Sequence, residues 1–188
     1  MKKQQKFSRA AGIVALVTAL MLLVPLVAMQ FSTEVNWSPA DFLVMGTLIA
    51  GTGMAYVWLS RGPVNRVYRL AAALALGAAF LMIWTNLAVG LIGSGPNAAN
   101  LMYMVVIPVL IAGTLRARMK AAGMERTMYA ASLLLVLLAG IALLTGMQRY
   151  SGGSATEILG ISGFFAGLFF IAGLLFRYAS VRRVSRQV

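Results

Sequence analysis

The sequence predicts an all-α integral membrane protein: a bundle of six transmembrane helices with short loops and both termini cytoplasmic. Three observations predict it. First, 61% of the 188 residues are apolar and the mean hydropathy is +0.87, too greasy for an ordinary soluble domain. Second, the apolar residues fall in continuous runs of roughly the 20 residues that a helix needs to cross a hydrocarbon layer about 30 Å thick. Those runs do not alternate, so helices rather than a barrel satisfy the backbone in lipid. Third, the 16 Lys and Arg lie between the runs, nearly all at one end of them.

Taken in order, the chain reads as a single transmembrane domain, 1–188, with spans at approximately 10–31, 39–59, 67–93, 97–115, 128–147 and 155–176. Lys2, Lys3, Lys6 and Arg9 precede the first run. A basic start of this kind also describes a signal peptide, but the run is long and Leu26 and Ala28 fit a small-x-small cleavage site poorly, so it reads as an uncleaved span. Pro25 sits near its outer end, where a lost backbone bond costs less. Ser38, Pro39 and Asp41 open the second span as a capping box with proline at the first helical position. Tyr56 and Trp58 close it as interfacial aromatics. The third span begins near Val67 and reaches Gly90 or Gly93; its alanine-rich first half permits close helix contact. The fourth opens after Pro96 with Asn97 as cap, and Pro108 kinks it. A basic loop from Arg116 to Arg126 leads to the fifth. Ser154 and Glu157 repeat the capping-box pattern at the start of the sixth, which ends near Phe176.

Counting alternate connections as one side, every Lys and Arg except Arg149 shares a side, while Glu34, Asp41 and Glu157 lie opposite. This orients the chain by the positive-inside rule. The net charge of +12 is therefore a topology signal and not a nucleic-acid footprint. Membrane lipids are the expected partners, with anionic headgroups against Arg66, Arg69, Arg116, Arg118, Arg182 and Arg183. The outer starts Ser38, Asn97 and Ser154 fall 59 and 57 residues apart, and Arg9, Arg69 and Arg126 fall 60 and 57 apart. Three duplicated hairpins would produce such spacing; so would unrelated hairpins of equal length.

The chain has no Cys and no His, and its carboxylates are Glu34, Asp41, Glu125 and Glu157. Thiolate and imidazole chemistry is excluded, no metal or cofactor is implied, and an enzyme is not expected. The remaining polarity gathers in 84–103, a neutral glycine, proline and asparagine turn between two apolar runs. Asn86, beside Trp84, lies about 28 Å from Val67 at about 1.5 Å per residue, near the outer interface. It is either a ligand-coordinating amide or an interfacial residue needing only a local partner. Glu34, Asn36, Trp37, Asp41, Asn97, Asn100, Tyr103 and Glu157 form either a pocket mouth on the outer face or a set of caps and belt aromatics. Gly160, Gly163 and Gly167 include a GxxxG motif, which serves a partner interface or packing inside the bundle.

Two stretches carry a resemblance: Glu34-Val35-Asn36-Trp37 with Asp41-Phe42 and Gly51 to Tyr56, and Asn86 to Gly90 through Asn97 to Tyr103. They resemble small multi-span bacterial inner-membrane proteins without assigned activity. The resemblance implies a bacterial cytoplasmic (inner) membrane and brings no catalytic or binding residues. The expected function is that of a non-enzymatic structural or accessory subunit that packs against itself or another membrane protein. The alternative is a small transporter or channel with an outward-facing polar site near Asn86.

Overall fold

A computed structural model describes residues 2–61, 65–93, 98–149 and 153–184, with side chains at 7–61, 65–93, 99–149 and 153–181. The described residues form α1 (Lys2–Phe31), α2 (Pro39–Leu59), α3 (Arg66–Ala88), α4 (Leu101–Met104), α5 (Val106–Ala117), α6 (Ala121–Leu144) and α7 (Ala155–Val184). Short 3-10 turns cover Ala98–Asn100 and Met147–Arg149, and no strand occurs among the described residues. Among the described residues five helices are long and apolar enough to cross a membrane, namely α1, α2, α3, α6 and α7, while Leu101–Ala117 is a shorter apolar segment. The chain is an all-α, multi-pass membrane protein.

By its contacts the chain divides into two compact units, Met1–Gly62 and Pro63–Val188. The first is the α1–α2 hairpin. Gly53 lets α2 come close to α1, since a Cβ there would lie 2.8 Å from Val14 Cγ1; one at Gly46 would lie 3.2 Å from Leu22 Cδ1. Hydroxyls inside these helices bond back to their own turn, with Thr18, Thr47 and Thr52 donating to the carbonyls of Val14, Leu43 and Leu48 at 2.7–2.8 Å. Ser38 and Asp41 form the expected capping box: Ser38 N–H donates to Asp41 Oδ2 at 2.7 Å and Asp41 N–H to Ser38 Oγ at 3.3 Å. At the other end of the hairpin the Arg61 guanidinium stacks on the Phe7 ring at 3.8 Å, a cation–π contact.

The second unit is built on α7, which packs against both α6 and α3, with α5 on the far side of α6. The buried residues of α3 (Tyr68, Ala71, Ala72, Ala75, Ala78 and Met82) recur every three or four positions and make one helical face. That face meets α7 antiparallel, with Tyr68 edge-on to Phe176 at 5.0 Å and Asn65 Nδ2 donating to the Ala179 carbonyl at 3.1 Å. Of the alanine-rich first half of the helix, Ala71, Ala72, Ala75 and Ala78 lie on this buried face. Between α6 and α7, the Tyr129 ring lies over Gly173 and beside Phe170. Between α5 and α6, Gly113 faces Thr127 so closely that a Cβ would overlap the threonine side chain.

The helices depart from the expected spans at several ends and at one break. The third ends at Ala88, short of Gly90 or Gly93, because the N–H groups of Val89 and Gly90 both turn back to the Thr85 carbonyl and Gly90 enters the left-handed region at φ 84. The fourth is not one kinked helix but two, α4 and α5, parted at Val105. Pro108 lacks an N–H and its ring crowds the carbonyl four residues earlier, and α4 ends on that residue, Met104. The fifth helix begins at Ala121 rather than Met128, since Arg118 and Met119 reverse the chain with φ of 47 and 59. It closes at Leu144 instead of Met147, before Gly146 at φ 76. The first and last helices overrun their spans: each has 30 residues, about 45 Å at the α-helical rise, because no breaker stands at either basic end. The packing is tested most directly at Gly113. Replacing Gly113 by Ala is expected to lower stability in detergent by about 1–3 kcal/mol through overpacking, whereas Gly140→Ala, with nothing within 4 Å of the added Cβ, is expected to cost nothing. Thermal or denaturant unfolding of the two variants checks both.

Candidate functional site

The stretch after α3 is organised by one carboxamide. Asn100 Oδ1 accepts the backbone N–H of Leu91 at 2.8 Å and of Ile92 at 2.7 Å. Its carbonyl accepts Asn86 Nδ2 at 3.0 Å. Gly90 and Gly93, with φ of 84 and 64, bracket Leu91 and Ile92 and fold them inward, so both are 0% exposed and Asn100 is 5% exposed. A turn buried this way would strand two amides, at about 1–3 kcal/mol each. Asn100 answers both with one oxygen.

One helical turn on, Tyr103 carries the second polar contact. Its hydroxyl lies 2.7 Å from Ser162 Oγ of α7, and both residues are 1% exposed. A buried interhelical hydrogen bond of this kind is worth about 0.6 kcal/mol on average and fixes which face of the fourth span meets α7. Asn86, Asn100, Tyr103 and Ser162 therefore form a polar seam between the end of α3, the loop, α4 and α7.

The other expected residues are placed differently. Trp84 is 42% exposed beside Phe80, as a belt aromatic would be. Asn97 lies outside the described residues. Glu34, Asn36 and Trp37 belong to the α1–α2 unit: the Glu34 N–H donates to Ser32 Oγ at 3.1 Å, Trp37 packs edge-on to Phe42, and Asn36 lines an open depression with Phe31 and Ser32. Asp41 serves the α2 cap, and the Glu157 N–H donates to Ser154 Oγ at 3.0 Å at the start of α7. Arg66, Arg69, Arg116 and Arg118 are exposed; the side chains of Arg182 and Arg183 lie outside the described ones. Gly160, Gly163 and Gly167 share a face of α7 on which an added Cβ would meet nothing within 4 Å.

Two side chains that make these contacts were missed in the sequence. Ser162 is the lone hydroxyl in the apolar run between Glu157 and Arg177, and that isolation was its signal. Asn65 caps α3 through Oδ1, which accepts the Tyr68 N–H at 2.8 Å, and reaches α7 through Nδ2. Its position before a helix start suggests the cap, but nothing in the sequence points to Ala179.

Asn100→Leu keeps the branched shape of the side chain and removes its oxygen. Leu91 and Ile92 amides are then expected to lose protection in hydrogen exchange, with stability reduced by about 1–3 kcal/mol per orphaned group; unchanged protection would show that the turn holds itself. No protein-family model, no curated protein and no solved structure matches this chain.

Proposed function

We propose that the chain is a non-enzymatic, self-associating subunit of a bacterial inner membrane, six-spanning with both termini cytoplasmic, and that α7 carries its interface. The observation that supports this most is the open face of α7. Its inward residues, among them Ser162, Phe165, Phe169 and Phe176, are buried, whereas Gly160, Gly163 and Gly167 open on empty space beside Phe164 and Phe170, 56% and 49% exposed. Glycines cost helix stability, and among the described residues of its unit nothing lies within 4 Å of a Cβ built at these three, so the close approach that they permit is not used there. A second copy would use it. The polar groups of the seam bond to one another or to the Leu91 and Ile92 amides, which leaves them structural work, and the inventory without His or Cys supplies neither a thiolate nucleophile nor an imidazole proton carrier.

For topology, α4 and α5 count together as one crossing. Leu101–Ala117 reaches about 26 Å at 1.5 Å per residue, just short of the hydrocarbon thickness. The one-sided Lys and Arg then orient all six spans. Two observations favour the transporter reading: the break at Val105 and the buried irregular turn at Leu91–Ile92 resemble the discontinuous helices on which transport sites are built.

Gly163→Leu and Gly167→Leu are expected to convert a defined oligomer to monomer when intact mass is measured after gentle extraction, with the fold retained. A wild-type chain that is already monomeric and holds a small molecule would replace this reading with transport. Independently, Ser94→Cys is expected to react with an impermeant thiol reagent from outside and Ser185→Cys only after permeabilisation; the reverse pattern would invert the topology.

A further inference from the structure

The reversal between α5 and α6 places an unusual combination of features at one corner. It takes three residues, Arg118, Met119 and Lys120. Arg118 N–H donates to the Leu115 carbonyl at 3.1 Å, Lys120 N–H donates to the Ala117 carbonyl at 2.9 Å, and Gly123 sits against Ala117, where a Cβ would come within 2.7 Å. The corner is thus short and held from both sides. Arg118 and Met119 occupy the left-handed region, where glycine or asparagine is the low-cost choice. Arginine stands there instead, exposed, with exposed Arg116 and Lys120 on either side. None of the three makes an ion pair with a described residue, the first turn of α6 contains no acid, and its N-cap offers no side-chain acceptor.

What meets these cations is indicated by the surface beneath them. Ile111 and Leu115, one turn apart on α5, are 56% and 60% exposed and form an apolar track that ends at the corner. Cationic side chains are kept out of the hydrocarbon by their cost, so the corner stands at the level of the headgroups. An apolar track capped by arginines is complementary to a molecule with an acyl chain and a negatively charged phosphate. Arginine suits the phosphate because its planar fork matches two oxygens at once.

We propose that the α5–α6 corner is a binding site for an anionic membrane phospholipid, with Arg116, Arg118 and Lys120 on the phosphate and Ile111 and Leu115 along the acyl chain. This site is independent of the α7 interface and would operate in a monomer.

The test is native mass spectrometry of the full chain in mild detergent, titrated with phosphatidylglycerol or phosphatidylcholine. The wild type is expected to retain phosphatidylglycerol in preference. Arg118→Gly removes one cation and relaxes the backbone, so it is expected to fold at least as well and to weaken phosphatidylglycerol retention about five-fold, the share of one cation near an anionic surface. Met119→Gly relaxes the same turn without altering charge and is expected to retain lipid as the wild type does. Arg116→Gln, outside the turn, is expected to match Arg118→Gly. Wild-type retention by Arg118→Gly, equal loss in Met119→Gly, or equal retention of phosphatidylcholine would each overturn the proposal. Displacement of the lipid by equimolar inorganic phosphate would overturn it too, by assigning the corner to the free anion.

Discussion

Hydrocarbon offers no hydrogen-bond partner, and this one constraint governs the structure at every scale. It makes the long runs helical, because a helix satisfies its own amides and carbonyls. It turns the hydroxyls of Thr18, Thr47 and Thr52 back to carbonyls of their own helices. Where the helical ladder must stop inside the protein, a side chain takes over: Asn65 at the start of α3, and Asn100 at the buried turn after it. The amides of the 84–103 stretch are therefore where they are because the backbone is irregular there.

The second requirement is close approach. Lipid competes with any apolar side chain for contact, so helices gain by packing at short range, which small residues allow. Alanines on α3, Gly113 on α5 and Gly173 on α7 each admit a neighbour. The two faces of α7 differ in this respect. One presents phenylalanines, alanines and Ser162 to its neighbours, while the other keeps Gly160, Gly163 and Gly167 open. The same helix thus organises its unit and presents an unused contact surface.

Charge obeys the complementary rule, since it must stay at the membrane edge. The basic connections terminate apolar helices, and at the α5–α6 corner an arginine is held in a backbone conformation that glycine would adopt more cheaply. A side chain kept at such a position is explained by its charge and not by the turn.

The existence and order of the apolar helices were legible in the sequence, because about twenty apolar residues between charges have few other solutions in lipid. So were local devices: the Ser38–Asp41 box, the Ser154 cap, the alanine-rich half of α3 and a distortion at Pro108, though not that it would part the helix in two, are all set within a few residues of their cause. Length beyond the spans was not legible, since hydropathy reports where lipid ends and not where the helix does; α7 runs on to Val184. Tertiary structure alone decided the rest. Asn100 and Tyr103 read as outer-face residues, of a pocket mouth or of caps and an aromatic belt; Asn100 instead holds Leu91 and Ile92, and Tyr103 meets Ser162, 59 positions away. It also decided which face of α7 its glycines occupy. Such pairings depend on how helices rotate against one another, and no local pattern records that rotation.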